Sequence, residues 1–220
     1  MLILKNMTKK YKDFYALKET NLKIEDGEFV AIIGESGSGK STLLNIIGQI
    51  DVPSSGEIII NGENTVDLDD NEVAKLRNST FGFVFQSFYL EPTYTVYSNV
   101  EIPLVLKGMK RKERKQRIEE VLNSVDMQDK EKNKASNLSG GEMQRVAIAR
   151  AIAANPPIIL ADEPCGNLDT NNGEIVMQLL KQLNDEGQTV IMVTHNPEHA
   201  KWAKRIIKLS DGEIVSDNKV

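Results

Sequence analysis

Phe29-Val30-Ala31-Ile32-Ile33-Gly34-Glu35-Ser36-Gly37-Ser38-Gly39-Lys40-Ser41-Thr42 is the stretch on which the fold turns. Its first five residues are apolar without alternation, as in a strand buried on both faces of a parallel sheet. Gly34–Ser41 then fits the pattern G-x-x-x-x-G-K-[ST], and a helix is predicted from Lys40 to Gly48. A polyphosphate needs several main-chain N–H donors converging on it. Gly34, Gly37 and Gly39, with Ser36 and Ser38 between them, let the chain wrap that closely. A helix starting near Lys40 turns the positive end of its dipole toward the anion. Lys40 suits the β- and γ-phosphate oxygens, the Ser41 hydroxyl suits Mg²⁺, and Thr42 adds a donor for the α-phosphate.

Outward from this loop the pattern repeats. Strand-like apolar runs lie at 17–25, 57–60, 81–85, 158–161 and 190–193. Between them fall helical periodicities at 111–126, 139–154 and 172–185, and Asp211-Gly212 marks a hairpin turn. Buried strands separated by helices predict an α/β fold with a mainly parallel sheet. Residues 88–150 are helical in pattern and read as a lobe inserted into the α/β core.

Composition narrows the function. The 220 residues carry 27 Lys plus Arg against 32 Asp plus Glu, a net charge of −5, which disfavours a dedicated nucleic-acid binder. One cysteine, Cys165, excludes a disulfide framework or a multi-cysteine metal site and fits a reducing compartment. Met1–Leu4 is too short an apolar run for a signal-peptide core, and no run approaches the ~18 residues of a membrane helix. Seven basic residues fall between Lys107 and Arg117, with only Glu113 opposing them. They read as a solvated helix start or a surface facing anionic headgroups.

Ile158-Ile159-Leu160-Ala161-Asp162-Glu163 supplies the complement of the loop. Asp162, at a buried strand's end, can hold Mg²⁺ opposite Ser41, and Glu163 can orient or deprotonate an attacking water. These two motifs leave kinases, GTPases, helicases and transport ATPases open. The third motif is Leu138-Ser139-Gly140-Gly141-Glu142. Two glycines at a helix start need a local reason, and Ser139 with the N–H groups of Gly140 and Gly141 would form an anion site there. Two such loops suggest one nucleotide clamped from two sides, with two chains pairing head to tail if one chain cannot supply both.

These motifs resemble, over essentially the whole chain, those of the ATP-binding cassette (ABC) transporter ATPases. Gly34–Ser41 matches the family's phosphate loop, Leu138–Glu142 its signature and Ile158–Glu163 its magnesium strand. The resemblance implies an ATP- and Mg²⁺-dependent ATPase. It is expected to be one domain over 1–220, a P-loop NTPase core (1–87 and 151–220) with an antiparallel β part near the N-terminus and a helical subdomain at about 88–150. It implies that Gln86 senses Mg²⁺ and links to a membrane partner, that Asp169 in Asn167-Leu168-Asp169 communicates across a dimer, that His195 contacts the γ-phosphate, and that Tyr11 stacks on adenine. Cys165 departs from the family, which commonly has Thr there; it reads as a packing residue, or as a site of thiol sensitivity. Phe81–Phe88, Asn99–Leu104 and Pro164–Asp169 are similar to the lipoprotein-release and macrolide-exporter branch (LolD/MacB type), with the cell-division ATPase FtsE a close relative. The branch implies a homodimer, peripheral on the inner face of the membrane, driving a separate permease bound after Gln86 and on the helical lobe. A DNA-repair ATPase with the same signature logic would carry long coiled coils between its nucleotide motifs, and none is legible here.

Overall fold

The computed structural model describes residues 1–219, which form two sheets and the helices packed on them. The first sheet is antiparallel. Its strands are β1 (Leu2–Tyr11), β2 (Phe14–Ile24), β4 (Ser55–Ile60) and β5 (Glu63–Asn64), in the order β2-β1-β4-β5. The second has the order β10-β9-β3-β8-β7-β6. Here β3 is Phe29–Ile33, β6 Phe81–Phe85, β7 Ile158–Asp162, β8 Thr189–Thr194, β9 Arg205–Ser210 and β10 Glu213–Lys219. Its five strands from β9 to β6 run parallel, and β10 closes the edge antiparallel through Asp211-Gly212, both at positive φ as a two-residue hairpin turn demands.

The strand period sorts the large sheet's side chains between two cores. Val30, Ile32, Leu160, Ile191 and Val193 point into one, which the antiparallel sheet and α1 (Lys40–Ile47) complete. Ala31, Ile159, Ala161, Val190 and Met192 point into the other, filled by α3 (Val96–Leu106), α4 (Arg111–Ser124), α5 (Gly140–Ala153) and α6 (Thr170–Asp185). The helices obey their own period: in α6, Val176, Met177, Leu180 and Leu183 are buried. So α1 and α5, which open on the two glycine-rich motifs, lie on opposite faces of the large sheet.

Two of the longer helices lack a sequence expectation of their own. They are α3 and α2 (Asp70–Thr80), the latter opened by a reciprocal capping box between Asp69 and Glu72. A four-residue helix, α7 (Pro197–Ala200), follows β8. Part of the basic run at 107–117 serves the fold. Lys107 donates to Ala154 O at 2.6 Å, and Arg117 to Ala153 O and Ile152 O at 3.0 Å each, so cations meet the negative end of α5. Arg114 pairs with Glu101 at 2.8 Å, while Lys110, Arg111, Lys112 and Lys115 remain exposed. No helix among the described residues is long and apolar enough to cross a membrane.

Candidate functional site

The site gathers at the C-terminal ends of the parallel strands, where open α/β sheets leave a crevice. Between β3 and α1 the chain turns through Gly39 at φ 100°, and a Cβ there would lie 2.4 Å from Ala16 O. Both the backbone angle and the space demand glycine. Lys40 is buried, its ammonium folded back to donate to Gly34 O (2.9 Å) and Glu35 O (2.7 Å). Ser38 Oγ is buried without a hydrogen-bond partner. An orphaned hydroxyl and a cation resting on loop carbonyls are what an anion bound to this loop would recruit.

Register brings Asp162 beside Phe85 of β6 and Val193 of β8. Its Oδ1 accepts from Ser41 Oγ at 3.1 Å, which joins the loop to the second motif. Burial pushes the Asp162 carboxyl above its ordinary range, and Glu163 adds to this against the opposing pull of Ser41 and Lys40. A divalent cation between Ser41 and Asp162 would relieve that burial cost, so the donor set fits Mg²⁺.

Glu163 leaves the strand in the left-handed region (φ 46°), its N–H donating to Val193 O at 2.9 Å. Such strain in a non-glycine residue persists only where its surroundings impose it. They do so here through the carboxylate. Oε1 accepts from His195 N (2.8 Å) and meets His195 Nδ1 at 2.7 Å, while Oε2 accepts from Thr194 Oγ1 at 3.2 Å. Thr194 is fully buried, and its hydroxyl also accepts from Asn196 N at 3.0 Å. Sequence reasoning missed Thr194 and Asn196 because nothing near them in the chain shows that they meet position 163. His199, beside Asn196, is held below its usual range by burial.

Other expected site residues are engaged elsewhere. Gln86 Nε2 donates to Asn167 Oδ1 at 3.2 Å, which turns its side chain to the 166–167 loop rather than to Ser41 and Asp162, and its main-chain carbonyl accepts from Asn167 Nδ2 at 3.0 Å. Tyr11, half exposed, donates to Asp51 at 2.5 Å, and this bond raises its phenol's pKa. The Lys9 ammonium lies 4.8 Å from the Tyr11 ring centroid. Asp169 caps α6, accepting from Asn172 N (2.9 Å) and Asn172 Nδ2 (2.7 Å), bonds that hold its carboxyl below the usual range. Cys165 is buried, and burial with the nearby Glu163 charge pushes its thiol up to about 12. This burial agrees with the packing reading of the position.

At the third motif, Ser139 and Glu142 form a capping box: Ser139 N donates to Glu142 Oε2 at 2.8 Å, and Lys130 pairs with Oε1. Gly141 has a reason the sequence did not suggest, since a Cβ there would fall 2.1 Å from Asn172 Oδ1. A Cβ at Gly140 would meet nothing nearer than 3.7 Å. Gln144, fully buried, ties α5 to the second motif by donating to Pro164 O at 2.6 Å.

A family model described as "ABC transporter" matches residues 17–166. An uncharacterized ABC transporter ATP-binding protein of Methanocaldococcus jannaschii, MJ0796, is 52% identical, the alignment covering 100% of this chain and 97% of that protein. Solved structures of MJ0796 superpose with a TM-score of 0.92 over 100% of this chain and 98% of theirs. One is a dimer, at 52% identity, and another a dimeric post-hydrolysis state bound to ADP and Pi, at 51%. The macrolide export ATP-binding/permease protein MacB of a Shewanella strain is 49% identical over 92% of this chain, which spans 31% of that longer protein.

Proposed function

This chain belongs to the ABC transporter family as an ATP-binding and ATP-hydrolysing cassette with the P-loop NTPase fold, and from that premise we propose that two copies close head to tail around two Mg-ATP to drive a separate membrane permease. One observation carries the pairing. The phosphate loop opens α1 on one face of the large sheet and Ser139–Glu142 opens α5 on the other, which favours a nucleotide held by one motif from each of two copies.

The roles in this reading join the geometry described to the family resemblance. Lys40, Ser38, Ser36, Thr42 and the amides of Gly34, Gly37 and Gly39 hold the phosphates, and the half-exposed Tyr11 offers its ring to adenine. Ser41 and Asp162, with Gln86 after it turns from Asn167, would hold Mg²⁺. Bound there, the ion would supply positive charge against the phosphate oxygens. Glu163 takes a proton from the attacking water on a carboxylate oxygen. In this conformation His195 is held on Oε1, while Oε2 accepts only from Thr194 Oγ1 and keeps a lone pair for that proton; turned from Oε1, the His195 ring is available to a phosphate oxygen. Ser139, Gly140, Gly141, Glu142 and Asp169 face the partner's nucleotide. The α3–α5 region moves as a subdomain against the core.

The permease reading rests on an apolar groove of about 1080 Å³ between α2, β6, α3 and α5, directly after Gln86. A helix of a membrane protein fits there, which makes the chain peripheral at the inner membrane face. Similarity to MacB favours a LolD/MacB-type permease, moving peptide, antibiotic or lipoprotein. Sizing by light scattering of Glu163→Gln, with and without Mg-ATP, tests the mechanism. The variant is expected to bind ATP, turn over at least about a hundredfold more slowly, and shift from monomer to dimer. Parental turnover would remove Glu163 from its role.

A further inference from the structure

His199 belongs to no motif, yet it stands at the end of a hydrogen-bond chain that reaches Glu163. It lies on α7, partly buried, in a cavity of about 580 Å³ that Glu163 and His195 also line. Its Nε2 is 3.3 Å from Asn196 Nδ2. The neighbouring bonds decide which of the two atoms donates. Asn196 Oδ1 accepts from Glu198 N at 2.9 Å as the cap of α7, so the other end of the amide, Nδ2, faces the imidazole. An amide NH2 only donates. Nε2 therefore carries a lone pair, and His199 is neutral with its proton on Nδ1. Inward from there, Asn196 N donates to Thr194 Oγ1 at 3.0 Å. Thr194 Oγ1 in turn gives its own proton to Glu163 Oε2, 3.2 Å away. A proton on His199 Nε2 would set donor against donor at the outer end of this chain.

The charges around His199 come from three directions. Glu163, Cys165 and Asp169 reach the cavity from the loop after β7, and Glu174 from α6. His195 and Glu198 reach it from the segment that carries His199, with Glu198 paired to Lys201 at 2.6 Å. Burial outweighs the pull of the Glu163 carboxylate, and His195 opposes a second cation, so His199 stays below its usual range.

We propose that His199 is a positioning residue for hydrolysis: its neutral imidazole, by accepting from Asn196, holds the 194–196 segment against Glu163, and protonation of Nε2 releases that segment and slows turnover. The proton acts on the base and leaves nucleotide binding alone, so kcat changes and the KM for ATP does not. Because the folded value lies under the ordinary histidine value of about 6.5, turnover is complete above it and is lost as pH falls through the lowered value. This rests on the reading of Glu163 as the base.

The test uses the full chain. It has 2 histidines, so one replacement assigns both ring signals by NMR. Without nucleotide, the His199 ring is expected to titrate below about 6.5, and the main-chain and side-chain amides of Asn196 to shift with the same midpoint. Turnover is then followed from about pH 8 to about pH 5. His199→Gln offers Asn196 an amide oxygen and does not titrate; the parent should lose at least about threefold more turnover over this range than His199→Gln, with the KM for ATP within about twofold in both. His199→Leu, without an acceptor, should run about threefold below the parent at pH ~8, and His199→Gln should recover that loss. Should His199→Leu unfold, the ring titration and the comparison of the parent with His199→Gln decide. Superimposable pH profiles of the parent and His199→Gln would overturn the proposal, as would a His199 titration that leaves the Asn196 amides unmoved. Failure of the base reading looks different: Glu163→Gln would then turn over at the parental rate whichever residue holds position 199.

Discussion

Thr194 joins Glu163 Oε2 to Asn196 N through one buried hydroxyl, so its removal reaches both the carboxylate and the chain that carries His195. Thr194→Val keeps the shape and leaves Asn196 N without that acceptor, at a cost of about 1–2 kcal/mol. Turnover is expected to fall about tenfold with the KM for ATP within about twofold, since a misplaced base harms the chemical step rather than binding. Thr194→Ser should recover turnover. A merely structural residue would lower the melting temperature and leave turnover alone, so the two measured together decide. The same scale shows what a single sequence hides. The phosphate loop is legible because its parts are contiguous, and Asp162-Glu163 because a buried strand leads into them. Thr194 and Arg150 act through partners 31 and 61 or more positions away, and no local pattern announces such meetings.

Among the elements, strands buried on both faces were readable as unbroken apolar runs, and α5 and α6 by their period. The helix α2 escaped because, apart from Thr80, it buries no residue fully, although the Asp69 to Glu72 capping box was in plain sight. In α3 the buried positions Val96, Asn99, Val100 and Leu104 follow helical spacing, masked by apolar residues on the other faces and by Pro103. The caps of α5 and α6 make pH the test of their worth. Lys130 first, then Ser139 N–H, hold the Glu142 carboxyl below its ordinary range, as Asn172 N–H does for Asp169. Both folded values lie below the unfolded ones, so the unfolded chain takes up more protons as pH falls. Their contribution is complete above the ordinary carboxylate range of about 4 and is lost as pH drops through the depressed folded values. In urea titrations, Glu142→Gln should trail the parent by at most about 1 kcal/mol at neutral pH, and the gap should close below pH ~4. A gap unchanged in acid would mean that charge plays no part in the cap.

For the whole molecule, the large sheet is a wall common to both cores: alternate residues of β3, β7 and β8 belong to one side and the next. Neither side keeps its packing if the other melts. Calorimetry of the nucleotide-free protein should therefore give one transition, with calorimetric and van't Hoff enthalpies in a ratio of about 1. Two resolved transitions would instead make the helical region a unit that folds by itself. The α/β class and the parallel sheet were legible from alternating strand and helix patterns. The assignment of each strand face to a different core was not, because continuous apolar runs look alike on both faces. One further consequence lies in α5. Its 14 residues span roughly 21 Å, with Arg150 and Ala151 at the groove toward one end and the Ser139 cap at the other. Treated as a stiff lever pivoting at the groove, a tilt of about 10° would carry Ser139 through nearly 4 Å, about the span of one hydrogen bond made or lost.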